Sequence, residues 1–334
     1  MPTHAILSLP LLALLALGAA GQSSGGSEPV AEVSVDERLA QARVRHQTGV
    51  ADAVVALWEK WQKDRDAAQE KGDREKMKKL EAPRREFDAT GIVPDGQGLP
   101  ASAYYSAMSR HDGKLIEELE AVGKELTRAG RGSEADAVLR EISQLRDWLA
   151  CDKAKRRQLG EQLLSNPGAE DKPTNKDPLP GWDAVRGPWL RIDAKGGRNP
   201  GPYKGDWYFS PGATQTAVLQ QDVDVRCFAR ATDAGKLRLE VSGHLSSYRG
   251  QDDQSQMIVE CLDAKKEVLA KAYDSKPRHH AEWKEYRGEA ALPSGTRYLR
   301  FTLRSSLGKK THGEKNNNGY YDALSLCVVA AEAR

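Results

Sequence analysis

Along residues 35–150, apolar positions recur three and four apart on otherwise charged segments. From Leu164 onward they alternate in short runs broken by Gly, Pro, Asn and Asp. The first pattern puts one buried stripe on a helix, and the second puts one buried face on a strand. Val50, Val54, Leu57, Trp61 and Ala68 mark a first helix, which Gly72-Asp73 ends. Met77, Leu80 and Phe87 mark a second over Arg74–Asp88, with Pro83 expected to bend or interrupt it. After a loop at Gly91–Pro100, Ser102 is placed to cap a third helix through Met108, Leu115, Leu119, Val122 and Leu126. Gly130–Gly132 breaks it, and Ser133 opens a fourth through Val138, Leu139, Ile142, Leu145 and Leu149. The offset from Gly72 to Gly130 also carries Trp61 onto Leu119, Ala68 onto Leu126, Leu80 onto Val138 and Phe87 onto Leu145. Two helical hairpins are therefore expected to stack their apolar faces into a small bundle.

The alternating part predicts strands at Thr216–Val225, Lys236–Ser246, Gln254–Asp263 and Arg297–Arg304. Each keeps its branched and aromatic side chains on one parity, so one sheet face is packed and the other is wet. Eight or nine such segments fit a two-sheet sandwich of jelly-roll type. The fold class is α+β and multidomain: helical hairpins in the N-terminal part, then an antiparallel β-sandwich. The expected boundaries are a leader at 1–20, a flexible linker at 21–34, a helical domain at 35–150, a linker at 151–177 and the sandwich at 178–334.

The order of motifs in the second part resembles galactose-binding-like jelly rolls, the fold of many carbohydrate-binding modules. Asn166-Pro167-Gly168-Ala169-Glu170 followed by Leu179-Pro180-Gly181-Trp182 is similar to their opening, and Gly319-Tyr320-Tyr321-Asp322-Ala323-Leu324-Ser325-Leu326 to their closing strand. Gly205-Asp206-Trp207-Tyr208-Phe209, Tyr248–Gln254 and Cys261-Leu262-Asp263-Ala264 fall between in the expected order. Pro293-Ser294-Gly295-Thr296-Arg297-Tyr298-Leu299-Arg300-Phe301 is similar to another strand of that fold and to the F-box-associated glycoprotein-binding domain. The resemblance spans roughly residues 160–330. It implies a structural Ca²⁺ held by Glu170 and Asp322, with main-chain carbonyls near Gly205 and Asp206, a donor set of the kind a hard cation takes. This chain departs from the pattern at Ala169, where an aromatic is usual, and at Ala323, where Asn is usual. The helical part loosely resembles a long-helix, short-helix arrangement found in exported proteins of planctomycete-type bacteria, with no activity attached to it.

Composition narrows the function classes. The run Ala5–Ala20 is apolar but too short to span a bilayer, ends in small residues and is not followed by Cys. It reads as a signal peptide cleaved near Ala20 or Gly21 without a lipid anchor, with an uncleaved membrane anchor as the alternative. Cleavage implies export to the periplasm or beyond and no transmembrane span in the mature chain. Gln22–Val33 is Ser/Gly-rich and reads as a flexible linker. The net charge is +2 with 29% charged residues, so no global field favours nucleic acid. The basic run Lys153-Ala154-Lys155-Arg156-Arg157 reads as a solvated helix end. No HExxH or P-loop motif is present, and the Gly-x-Ser-x-Gly spacing occurs only at Gly21–Gly25, inside the Ser/Gly-rich tract. Asp252-Asp253 are adjacent and point apart, a poor acid/base dyad. His279-His280 and His312 lack a carboxylate or Cys at ligand spacing and read as solvated loops.

The expected function is a non-catalytic exported binding protein, recognising a polysaccharide or glycoprotein through the jelly roll, with the helices as spacer. The alternative is a structural or envelope interaction protein with no small ligand. Ligand contacts are expected from His244, Tyr248, Arg249, Gln251, Asp252 and Gln256, which supply a stacking ring and directional hydrogen bonds. Trp189 and Trp283 are the reserve aromatics, and a turn network capped by Asp252 and Asp253 is the competing reading of that stretch. The four cysteines, Cys151, Cys227, Cys261 and Cys327, allow three full pairings; a Cys227–Cys327 bridge and free thiols both remain open.

Overall fold

The computed structural model describes residues 33–94, 99–151, 157–175, 177–193, 200–249, 251–309 and 316–331. The leader, the Ser/Gly-rich tract, most of the basic run and most of the Lys309–Asn318 stretch lie outside them. Among the described residues no helix is long and apolar enough to cross a membrane.

Four helices come first: α1 (Val35–Glu70), α2 (Arg74–Thr90), α3 (Ala101–Arg128) and α4 (Gly132–Leu149). Asp73 starts α2 by accepting the Lys76 amide at 3.0 Å, and α2 runs through Pro83 without a break. The third and fourth helices begin at Pro100 and Arg131 with no side-chain cap, not at the serines that the sequence offers. The pairs Arg38–Glu125, Arg45–Glu118 and His46–Asp112 run in opposite order along α1 and α3, so these two helices are antiparallel. Each hairpin buries its stripe against the start of the other. Leu115, Leu119, Val122 and Leu126 of α3 and Val138 and Ile142 of α4 close over Ala42 of α1. Leu57, Trp58 and Trp61 of α1 and Phe87 of α2 close over Tyr104 and Met108 of α3, with Trp58 and Phe87 edge-to-face at 5.2 Å.

The rest is a sandwich of two five-stranded antiparallel sheets with jelly-roll topology. Its strands are β1 (Asp183–Arg186), β2 (Leu190–Asp193), β3 (Trp207–Ser210), β4 (Gly212–Ala213), β5 (Thr216–Asp224), β6 (Leu237–Ser247), β7 (Gln254–Leu262), β8 (Val268–Asp274), β9 (Lys284–Ala291), β10 (Tyr298–Ser306), β11 (Asn316–Asn317) and β12 (Gly319–Ala330). One sheet has the order β1-β5-β10-β7-β8 and the other β2-β3-β12-β6-β9; β4 and β11 form a separate short ladder. The four strands expected from alternation are present to within a residue or two at each end. Their inward parity makes the core: Leu219 and Val223, Leu239 and Val241, Met257 and Val259, Leu299, Phe301 and Leu303. Gly243 is required there, since a Cβ would lie 2.5 Å from Met257 Sδ.

The motif at Asn166–Trp182 closes on itself. Asn166 donates to Pro180 O at 3.3 Å and accepts the Asp171 amide at 3.0 Å, while Trp182 Nε1 donates to Asn166 O at 3.1 Å. The Trp182 ring sits edge-on to Phe209 at 5.3 Å and Phe301 at 6.0 Å, bridging the two sheets. The segment before it differs from a plain linker. Gly160 and Leu163 donate to Val328 O and Leu326 O at 2.8 Å each, Gln162 brackets Leu324 and Leu326, and Leu163 and Leu164 enter the sandwich core. Its apolar side chains and otherwise unpaired amides are satisfied by lying along β12.

The helices also touch the sandwich. After β5 a turn at Arg226–Phe228 leads into a short helix, α5 (Ala229–Asp233), which meets the end of α4. Arg297, 2% exposed, donates to Asp147 of α4 at 2.8 Å and to Asp233 of α5 at 2.8 and 3.0 Å. Arg230 reaches buried Asp112 of α3 and lies over Trp148 at 4.5 Å. Removing a buried guanidinium strands the carboxylates it neutralised, a loss of about 3–5 kcal/mol. Chemical denaturation of Arg297→Ala is expected to show a loss of that size, against under 1 kcal/mol for the exposed pair partner in Arg85→Ala.

Candidate functional site

The turn after β6 is spent on structure. Asp253, fully buried, accepts the Gly308 amide at 2.7 Å and the Asn318 amide at 2.9 Å. Asp252 accepts the Lys309 amide at 3.2 Å, and Gln251 takes the Asn318 side-chain amide at 2.5 Å. Tyr248 and Arg249 remain exposed at the strand end. Gln256 lies on the other sheet, on the outward parity of β7, where it donates to Asp274 at 2.6 Å. Trp189 is core, tilted against Tyr321 at 5.7 Å, and Trp283 donates to Gly201 O at 2.7 Å. Of the six expected ligand contacts, His244 therefore stands apart from Gln256, and Gln251 and Asp252 are engaged in the turn.

His244 is on the outward parity of β6 with Glu240 and Ser242. The Tyr203 ring lies flat on it, centroids 3.5 Å apart and planes 16° apart, and Tyr203 is itself 51% exposed. Burial holds the His244 imidazole below its ordinary pKa, so it is neutral at pH 7, and its buried Nδ1 has no partner. Across the strand pairing, β9 presents Glu285 and Arg287, joined at 2.7 Å, with the Glu285 carboxyl held below the usual range by that guanidinium. Beside them is a hollow of about 330 Å³ lined by Glu240, Ser242, Glu285, Arg287, Ser325 and Cys327. The outcome is an open sheet face with an aromatic shelf at one end and hydrogen-bonding groups of both signs along it. Such a face suits a neutral, hydroxyl-rich molecule better than a strongly charged one. Sequence reading missed Tyr203, Glu285 and Arg287. The charged alternation of Lys284–Glu289 was a usable signal, whereas Tyr203, in a Gly/Pro loop, offered none.

Glu170 and Asp322 do converge, on the loop at 201–207. Glu170 Oε1 accepts the amides of Asp206 and Trp207 at 3.0 Å each. Asp322 Oδ2 accepts those of Tyr203 and Lys204 at 2.8 and 2.9 Å, and Oδ1 accepts that of Ala323 at 2.6 Å. Asp322 pairs with His244 on the outward parity, where the loop covers it, and a bulge between Asp322 and Ser325, with Ala323 at φ 47°, follows at once. Asn tolerates that backbone region better than Ala, which gives a physical meaning to the usual Asn there. Gly205 must lack a side chain, because a Cβ would lie 2.2 Å from Glu170 Oε1. Burial, and to a smaller degree the Glu170 charge, push Asp322 up to about 6. No Lys or Arg pairs with either carboxylate among the described residues, and none of these has three acidic, His or Cys groups clustered for a metal. The loop presents amides to both carboxylates, and the lone pairs these leave over are of the kind a hard divalent cation takes.

No family model matches the chain, and no curated protein matches it. Solved structures resemble it over the sandwich. The xylan-binding family 22 carbohydrate-binding module of Paenibacillus barcinonensis is 15% identical, covers 52% of this chain and 99% of its own, and has a TM-score of 0.34. A family 16 carbohydrate-binding module is 16% identical, with 49% and 98% covered and a TM-score of 0.34. The C-terminal family 22 module of a Clostridium thermocellum protein is 14% identical, with 51% and 98% covered and a TM-score of 0.32. Likenesses at this level say nothing of what this chain binds.

The turn network has its own test. Asp253→Ala is expected to cost about 2–4 kcal/mol in unfolding free energy, since two buried amides lose a charged acceptor. Tyr248→Ala should cost under 1 kcal/mol; equal losses in denaturant titrations would mean that the turn is not organised by Asp253.

Proposed function

We propose that this chain is a non-catalytic binding protein whose sandwich takes a carbohydrate on the outer face of the β2-β3-β12-β6-β9 sheet. The observation that carries this reading is the exposed Tyr203 ring stacked on His244 beside the Glu285–Arg287 pair and the hollow along β6 and β9. A sugar ring offers an apolar C–H face to an aromatic and hydroxyls to mixed donors and acceptors, which is the chemistry gathered here. Tyr248 and Arg249, both exposed at the strand end, are the second place on the same domain where a saccharide would find a ring and a guanidinium. Export, as read from the leader, is part of this proposal and places the ligand outside the cytoplasm.

Calcium belongs to the same proposal. Glu170 and Asp322, with carbonyls of the loop near Gly205 and Asp206, hold a Ca²⁺ that stabilises the sandwich. The ion supplies positive charge to two carboxylates that have no side-chain cation. Because Asp322 also holds the Tyr203 amide, the metal loop positions the stacking ring.

Two experiments test this. Melting of the full chain should be higher in calcium than in chelator, by about 2–3 kcal/mol of added stability at a hundredfold excess over Kd. Asp322→Asn should abolish the difference, and identical melting of the wild type in both buffers removes calcium. Calorimetry against soluble plant and bacterial polysaccharides should find a saturable ligand whose affinity falls about 5- to 30-fold, some 1–2 kcal/mol, in Tyr203→Ala. A loss confined to Tyr248→Ala moves the site to the strand end. Absence of any bound glycan favours the interaction protein instead.

A further inference from the structure

The cysteines resolve into one pair and two single residues. Cys151 stands just past the C-terminal end of α4, and Cys227 is the middle residue of the turn between β5 and α5. The two thiols are hydrogen-bonded to each other, and the main-chain amide of Arg157, where the described chain resumes, also donates to the Cys227 sulfur. Three neighbouring contacts hold this approach in place: Asp147 to Arg297, Asp233 to Arg297, and the Arg230 guanidinium over Trp148. Through them Asp147, four residues before Cys151, is tied by way of Arg297 to Asp233, six residues after Cys227. Trp148, three residues before Cys151, is likewise held by Arg230, three residues after Cys227, so neither thiol can drift far from its partner. Both cysteines are only half-buried, so a reagent can reach them.

We propose that Cys151 and Cys227 form a disulfide that staples the helical bundle to the sandwich. The bond lies where the two parts meet and is added to the Arg297 ion pairs, the Arg230–Trp148 stack and the packing of Ile92 in the sandwich core. The Cys227–Cys327 pairing left open by the sequence is not the one the fold sets up, because Cys327 lies on the outer face of β12, its sulfur 3.7 Å from Ser325 Oγ. Cys261 is fully buried on the inward face of β7, where burial pushes its thiol up to about 11, and it has no cysteine near it.

The chemistry is thiol–disulfide exchange with an oxidant that itself carries a disulfide, whether small molecule or oxidoreductase. One protein thiolate attacks an oxidant sulfur, giving a mixed disulfide and releasing one oxidant thiol. The second protein thiolate then displaces the other oxidant sulfur. The S–S bond of the oxidant breaks, the Cys151–Cys227 bond forms, and the two thiol protons leave with the two oxidant thiolates or to solvent. In the reduced protein the Cys227 thiol is held well above its ordinary pKa, by the hydrogen bond to Cys151 first and burial second. Closure is therefore expected to be slow in the folded chain at neutral pH and to speed up as pH rises, because the thiolate is the nucleophile.

The test uses the full chain, reduced and then exposed to oxidised glutathione, with free thiols blocked by a maleimide under denaturing conditions and counted by mass spectrometry. Two blocked thiols, on Cys261 and Cys327, and a linked peptide pair containing Cys151 and Cys227 are expected. Cys151→Ser should free Cys227 for labelling, and Cys227→Ser should free Cys151. Reductant should lower the Tm of the oxidised wild type by roughly 5–10 °C and leave Cys151→Ser unchanged. Four labelled thiols after oxidation, or a linkage through Cys261 or Cys327, would overturn the assignment. Circular dichroism on each variant confirms that the serine substitutions fold, and the wild-type labelling pattern decides the matter even if they do not.

Discussion

A guanidinium that is almost fully out of water governs how this molecule is put together. Arg297 immediately precedes the strand β10, and its head lies between Asp233 of α5 and Asp147 of α4. Burying a charge is tolerable only where opposite charge and hydrogen bonds replace the lost water, so the two carboxylates must be where they are. That requirement fixes the end of α4 against the sandwich. It also brings Trp148 under Arg230 and sets Cys151 against Cys227. The helical part is thus not an independent spacer hung on a tether. It is docked through buried ion pairs at the end of α4, with Ile92 packed in the sandwich core.

A second buried charge organises the opposite concern, recognition. Asp322 comes from β12, a central strand, and stands opposite His244 on the outward parity, buried beneath the loop at 201–207. Its oxygens hold the amides of Tyr203 and Lys204, and Glu170 holds those of Asp206 and Trp207. The loop carrying the exposed Tyr203 is therefore anchored to the core by main-chain hydrogen bonds, and the ring is presented on a rigid base. Rigid placement of an aromatic lowers the ordering cost of binding. The stack on neutral His244 adds to that placement, and the Glu285–Arg287 pair sets the polarity of the face beside it.

Much of this was legible in the sequence, and the reason is periodicity. A strand that buries one face must alternate, and a helix that buries a stripe must repeat near 3.6 residues, so β5, β6, β7 and β10 and the four helices announced themselves. Asn166, Trp182, Glu170 and Asp322 were legible for a different reason: they stand in motifs whose order resembles that of galactose-binding-like jelly rolls. What alternation cannot encode is which strands become neighbours. Gln256 and His244 are close in sequence and both outward-facing, yet they belong to different sheets because the chain crosses the sandwich between β6 and β7. Tyr203 meets His244, Arg297 meets Asp147 and Cys151 meets Cys227 across separations that carry no local signal. Side-chain chemistry and the parity of each segment are properties of the chain itself. Partnership is a property of topology, and only the tertiary structure could decide it.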